Sequence, residues 1–253
     1  MEIKEQTGTA NTTVSKGRQI KYIVVHYTAG ITSKPGTAVS TAKYFSKETT
    51  KASADYIVDD NYVVLYNPDI KNRYTWHCGG GKYKTKGGSL YKICTSANSI
   101  GIELCSMNNA KKVTSPNDNH WYFTTAVTNN AVELVKSLME EYGIDIEHVI
   151  RHYDVNGKPC PGIVGWNEDT GDISEWVKFK EALIDTPECE TEPSEDIVVE
   201  EPEPVKEVIP PVQETRVSAD VKVIEKSVTL PVKKEKIGLF EQIIAFIAGL
   251  FKK

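Results

Sequence analysis

Tyr22-Ile23-Val24-Val25-His26-Tyr27-Thr28 is a continuous apolar run, rich in β-branched residues, that carries an imidazole near its end. A short run of this composition predicts a central strand buried on both faces. Such a strand needs layers above and below it, so the neighbouring segments must supply further strands and the helices that cover them.

Downstream, Gly30 to Gly36 has turn composition, and Thr37 to Glu48 sets Ala38, Thr41, Ala42 and Phe45 at helical spacing. Ala54 to Asp59, the Asp60-Asn61 turn and Tyr62 to Tyr66 predict strand, turn and strand. A Gly-rich loop runs from Tyr74 to about Ser96, and Asn98 to Cys105 returns to strand, with Glu103 interrupting its apolar run. Thr124 to Tyr142 spaces Val127, Ala131, Leu134, Val135, Leu138 and Met139 as one face of a helix. His148 to His152 predicts another short strand, and Asp172 to Ile184 an amphipathic helix. Residues 1–19 are polar and read as an arm leading to the first strand. The expected architecture is α/β: a central mixed β-sheet flanked by helices, within a domain spanning residues 1–185.

The chemistry converges on Arg151-His152-Tyr153-Asp154-Val155-Asn156-Gly157-Lys158-Pro159-Cys160-Pro161-Gly162. Here an imidazole and a thiol stand eight residues apart across an Asp-Val-Asn-Gly turn. Two ligands do not hold a metal, and His26 offers a third. His26, His152 and Cys160 together would form a three-ligand zinc site with an open position, the catalytic kind.

Composition divides the 253 residues. Basic and acidic side chains balance through residue 185, so the net charge of -5 arises in the C-terminal part of the chain. Residues 186–235 are rich in Pro, Glu and Val and predict an extended linker, because such a segment cannot repay the entropy of folding. Residues 236–253 place Phe240, Ile243, Ile244, Ile247, Leu250 and Phe251 on one face of a short basic amphipathic helix. Its apolar stretch falls short of the roughly 20 residues needed to span a bilayer. An anionic membrane surface is the preferred partner, with an oligomerising helix and a helix docked on the domain as alternatives. A neutral domain lacks the basic footprint of nucleic-acid binding. Cys78, Cys94, Cys105, Cys160 and Cys189 lack the dense even spacing of a disulfide scaffold; free thiols are expected, although one pair could bridge. The N-terminus shows no apolar core of a signal peptide.

Val24-Val25-His26-Tyr27-Thr28-Ala29, Ala52-Ser53-Ala54-Asp55-Tyr56-Ile57-Val58-Asp59, Trp76-His77-Cys78-Gly79, Asn98 to Cys105 and Arg151 to Gly162 resemble, in this order, the zinc-dependent N-acetylmuramoyl-L-alanine amidases. These share a fold with the T7 lysozyme amidase and the peptidoglycan recognition proteins. The resemblance covers about residues 18–185. It implies Zn2+ bound by His26, His152 and Cys160, auxiliary catalytic roles for Tyr56, Glu103 and Lys158, and bacterial peptidoglycan as substrate. Glu103 or Tyr56 would handle the proton of the attacking water, while Lys158 would stabilise the oxyanion with zinc. Asp55 stands where relatives often carry His. Trp76 and His77 are candidates for substrate contact, with a structural role for His77 as the alternative. His120 and His148 have no motif around them and are expected at the surface. The implied activity is cleavage of the amide between N-acetylmuramic acid and L-alanine, at the cell wall, in an endolysin or autolysin. A binding-only module of the same fold, or a membrane-perturbing protein acting through its tail, are the rivals.

Overall fold

The fold is described from a computed structural model over residues 2–30, 37–112 and 119–184. The turn expected at Gly30 to Gly36 falls mostly outside these residues, as do the linker and the C-terminal helix.

Six strands form the main sheet: β1 (Glu2–Glu5), β3 (Tyr22–Tyr27), β4 (Tyr56–Val58), β5 (Tyr62–Leu65), β7 (Ser99–Leu104) and β10 (Val149–Arg151). Their spatial order is β1-β5-β4-β7-β3-β10. The β4–β5 hairpin is antiparallel, and every other pairing is parallel. This is the mixed sheet expected, with β3 enclosed between β7 and β10. Two small antiparallel ribbons accompany it: β2 (Thr12–Val14) with β6 (Arg73–Thr75), and β8 (Met107–Asn108) with β9 (Trp121–Tyr122).

Alternation along the strands sends successive side chains to opposite faces. One face carries Ile23, Val25, Val58, Ile100, Ile102 and Leu104. It packs against α2 (Thr125–Tyr142), through Val127, Ala131, Leu134, Val135 and Leu138, and against α4 (Ser174–Ile184), through Trp176, Phe179 and Leu183. The Thr124 hydroxyl starts α2 by accepting the Val127 N–H at 3.2 Å, and Gly143, at φ 64°, ends it in the left-handed region. On the other face, Ile57 and Val64 meet Ala38, Ala42 and Phe45 of α1 (Thr37–Phe45). Beside them Val24 and Ile150 pack on Cys94 and Val155. Both faces are covered, as the unbroken apolar run of β3 requires.

The N-terminal segment is a correction: it is not an arm. β1 extends the sheet edge beside β5, with Glu2 to Glu5 aligned on Tyr62 to Leu65, and β2 pairs with β6. The residues of β1 are mostly exposed, so no apolar periodicity announced the strand. Asn11, between them, donates to the carbonyls of Phe45 at 2.7 Å and Lys47 at 2.9 Å, and so ends α1 before the predicted Glu48. The Asp-Val-Asn-Gly turn is likewise different. His152–Asn156 forms a one-turn helix, α3, closed by Gly157 at φ 82°.

Asp55 is fully buried and accepts hydrogen bonds from Asn67 Nδ2 (2.6 Å), Thr75 Oγ1 (2.9 Å) and the Gly101 N–H (2.8 Å). It fastens the start of β4 to β6 and β7, and the buried Arg18 guanidinium nearby offsets its charge while donating to the Arg73 and Ser99 carbonyls.

Candidate metal and catalytic site

The strand register assembles the site. His26 near the end of β3 lies beside Glu103 of β7, and Arg151 of β10 aligns with Val25. The residue after Arg151 is His152, so its ring arrives next to His26, with centroids 4.7 Å apart. The N-terminus of α3 is held by Asp154, which accepts from the Arg151 backbone N–H at 2.8 Å and pairs with the Arg151 guanidinium. Beyond Gly157 the chain turns back. Tyr153 donates its N–H to the Cys160 carbonyl at 3.0 Å, and the Cys160 Sγ comes to 3.7 Å from His26 Nδ1. The Cys160-Pro161 peptide is cis.

One ligand atom from each of His26, His152 and Cys160 lies within 4.8 Å of the other two, and all three residues are buried. Tetrahedral zinc at ordinary bond lengths sets its ligand atoms about 3.3–3.6 Å apart, and the 3.7 Å between Cys160 Sγ and His26 Nδ1 already approaches this. Neither ring nitrogen of His152 makes a hydrogen bond of good geometry, although the Gly79 backbone lies near enough to favour a charged ring. A buried imidazole left this way is costly, and a cation held with His26 and Cys160 would supply a partner for one of its nitrogens. Burial, followed by the charge of neighbouring groups including Lys158, holds both rings well below the usual histidine pKa and keeps them neutral. Burial pushes the Cys160 thiol up to about 12, with Lys158 pulling it down and Glu103 pushing it up. A thiolate there needs a stronger positive charge than Lys158 alone supplies. Two neutral imidazoles and a thiol that ionises only against a cation fit zinc.

Glu103 is half-buried, and burial lifts its carboxyl to about 7 while Lys158 opposes the rise. Glu103 and Lys158 therefore belong to the same electrostatic site as the triad.

Tyr56 does not. The residue aligned with Glu103 and His26 is Ile57, so Tyr56 faces the opposite side of the sheet. There it packs in the core with α2, with Tyr142, Asp55 and Glu141 among its neighbours. The expectation that Tyr56 handles the water proton is corrected by the period-two alternation of β4.

Trp76 remains partly exposed at 36%, its indole N–H donating to Thr13 Oγ1 at 2.9 Å. His77 turns inward: it is 5% exposed, and its Nδ1 lies 3.1 Å from His26 Nε2. Room for the ring comes from Gly101, where an added Cβ would fall 2.5 Å from His77 Cγ. A glycine inside the apolar run of β7 was the available signal for this close approach. His148 is partly exposed and bonds Asp145 at 2.6 Å, and His120 is exposed. Cys78, Cys94 and Cys105 are free thiols, as expected.

Known proteins resemble this chain in sequence and in fold. A family model described as N-acetylmuramoyl-L-alanine amidase matches residues 16–163. The chain is 33% identical over 175 residues to the N-acetylmuramoyl-L-alanine amidase CwlH of Bacillus subtilis (strain 168), covering 68% of this chain and 57% of that protein. It is 30% identical over 170 residues to a probable N-acetylmuramoyl-L-alanine amidase of Bacillus licheniformis, covering 65% and 42%. The chain thus spans about half the length of the curated relatives it matches. Among solved structures, the catalytic domain of XlyA superposes with a TM-score of 0.51 at 27% identity, over 72% of this chain and 99% of that one. A mutant endolysin from Bacillus subtilis gives 0.50, also at 27% identity, with the same coverage. Since the family model covers more than half of the sequence and the sheet order carries its motifs to one point, the chain belongs to the N-acetylmuramoyl-L-alanine amidase family.

Proposed function

We propose that this chain is a zinc-dependent peptidoglycan hydrolase that cleaves the amide between the lactyl group of N-acetylmuramic acid and L-alanine. The observation that carries this reading is the convergence of His26, His152 and Cys160, with the unpartnered nitrogens of His152, beside Glu103 and Lys158. Zinc bound there would act as a Lewis acid and lower the pKa of a water towards about 7. The remaining work falls to the chain's own groups. The Glu103 carboxylate takes the proton of the attacking water and later delivers it to the leaving L-alanine amine. A carboxyl with a pKa of about 7 can do both. The Lys158 ammonium adds positive charge where the carbonyl oxygen becomes anionic. His26 and His152, held neutral by burial, would hold the metal through ring lone pairs and take no part in proton transfer. Cys160 also separates this reading from a binding-only module, which would have no use for a third ligand.

The proposed organisation is a catalytic domain over residues 1–185, an acidic linker over 186–235 and a basic amphipathic helix over 236–253 that rests on anionic membrane. The protein would act at the bacterial cell wall. Digestion of purified sacculi, with mass spectrometry of the new termini, tests the activity: free L-alanine amino termini released without chelator and absent with it are expected. Cleavage that persists in chelator would overturn the zinc assignment. Flotation of the tail peptide with vesicles containing phosphatidylglycerol tests the membrane reading, which fails if the peptide stays in the aqueous phase.

A further inference from the structure

We infer that His77 is a positioning residue that fixes His26 in the tautomer presenting Nδ1, and only Nδ1, to the metal. This rests on the metal assignment proposed above, and begins with the one hydroxyl hydrogen of Ser99. That hydrogen is donated to the Thr95 carbonyl at 2.6 Å. Ser99 Oγ can then only accept from His77 Nε2, 3.2 Å away, so His77 carries its proton on Nε2. Its Nδ1 is therefore an acceptor, and it lies 3.1 Å from His26 Nε2. His26 must supply the proton, because the other tautomer would set two lone pairs against each other in a buried contact. With the proton on Nε2, the lone pair of His26 sits on Nδ1, the atom 3.7 Å from Cys160 Sγ.

The relay runs from the Thr95 carbonyl through Ser99 and His77 to His26, and each of Ser99, His77 and His26 has one assignable proton. Ligating histidines depend on such outer partners for ring orientation and basicity. Gly101 makes the relay sterically feasible, because any side chain there would occupy the space of the His77 ring. The nearby Cys78 Sγ, 3.2 Å from His77 Nδ1, gives the same atoms another use: His26, His77 and Cys78 also bring ligand atoms within 4.8 Å of one another. Two metals sharing His26 would need its Nε2 deprotonated, whereas the relay keeps it protonated, so the two arrangements exclude each other.

The test is nitrogen NMR on the ¹⁵N-labelled full chain. In the metal-free protein, long-range ¹H–¹⁵N correlations should show His26 protonated on Nε2 and His77 on Nε2. After loading with ¹¹³Cd²⁺, coupling should appear to His26 Nδ1. Zinc affinity from chelator competition should weaken about 10- to 100-fold in His77→Leu. It should recover largely in His77→Gln, whose amide oxygen restores the acceptor. A proton on His26 Nδ1 in the metal-free chain, cadmium coupling through Nε2, or equal zinc affinity in His77→Leu would each overturn the relay. So would a second zinc equivalent that is lost in Cys78→Ser. The wild-type spectra decide the matter even if His77→Leu fails to fold. Failure of the metal assignment is distinguishable: the triad would bind no zinc, while the metal-free tautomers would still report on the relay.

Discussion

Replacing Gly101 by alanine has a consequence that can be worked out in distances. The new Cβ would stand 2.5 Å from His77 Cγ, 2.8 Å from Nδ1 and 2.9 Å from Cδ2. Carbon atoms in contact prefer about 3.5–4.0 Å, so the His77 ring must retreat by about 1 Å. The ring is buried and β7 is an interior strand, so neither side gives way freely. Overpacking of this kind costs about 1–3 kcal/mol, which for a domain of this size lowers Tm by roughly 2–12 °C. The same retreat carries Nδ1 from 3.1 Å to about 4 Å from His26 Nε2, beyond hydrogen-bond range. Gly101→Ala should therefore lose zinc affinity as well as stability. Differential scanning calorimetry of the full chain, with and without zinc, reads both: the metal-free Tm falls, and the upward shift on adding zinc shrinks. A variant with wild-type Tm and an undiminished zinc shift would refute the packing argument.

Cys160→Ser should abolish the release of stem peptides from sacculi, and metal analysis of the purified variant should find the site depleted. Unchanged activity would sink the triad. Glu103→Gln should retain metal and lower kcat about 10²- to 10⁴-fold. In the wild type, Glu103 accepts a proton only when ionised, and burial lifts its carboxyl to about 7. Activity should therefore rise with pH through a limb at or somewhat below 7, since a cation in the site draws the value down. That limb should vanish from the residual activity of Glu103→Gln, and its persistence would assign it to another group. Tyr56→Phe should keep near-wild-type kcat, because the hydroxyl it removes lies across the sheet from His26. A hundredfold loss would restore the discarded catalytic role.

Some of this molecule was legible from local pattern. The apolar runs that became β3 and β7, the second interrupted by Glu103, have a composition that a doubly covered strand uses. The face of α2 was written in its 3.6-residue spacing and begins at the Thr124 cap. β1 and β2 left no such trace, because β1 is mostly exposed, β2 is only partly buried and their pairing is a property of the backbone. The end of α1 was equally hidden, since Asn11, far away in sequence, satisfies its carbonyls.

For the site, motif order by itself named His26, His152, Cys160, Glu103 and Lys158, residues whose chemistry makes sense in a metal-assisted amidase. Sequence also placed Tyr56 with them, because a motif records nearness along the chain and says nothing of the face a side chain takes. Only the tertiary structure decided that question. Register sets His26, Glu103 and Ile57 in one row, and alternation then sends Tyr56 into the core on the far side. It also turned His77 inward onto Gly101 and His26, a contact between residues 51 positions apart in sequence. Residue types carry the chemistry that a chain can perform, and strand pairing, a long-range property, determines which of those residues meet.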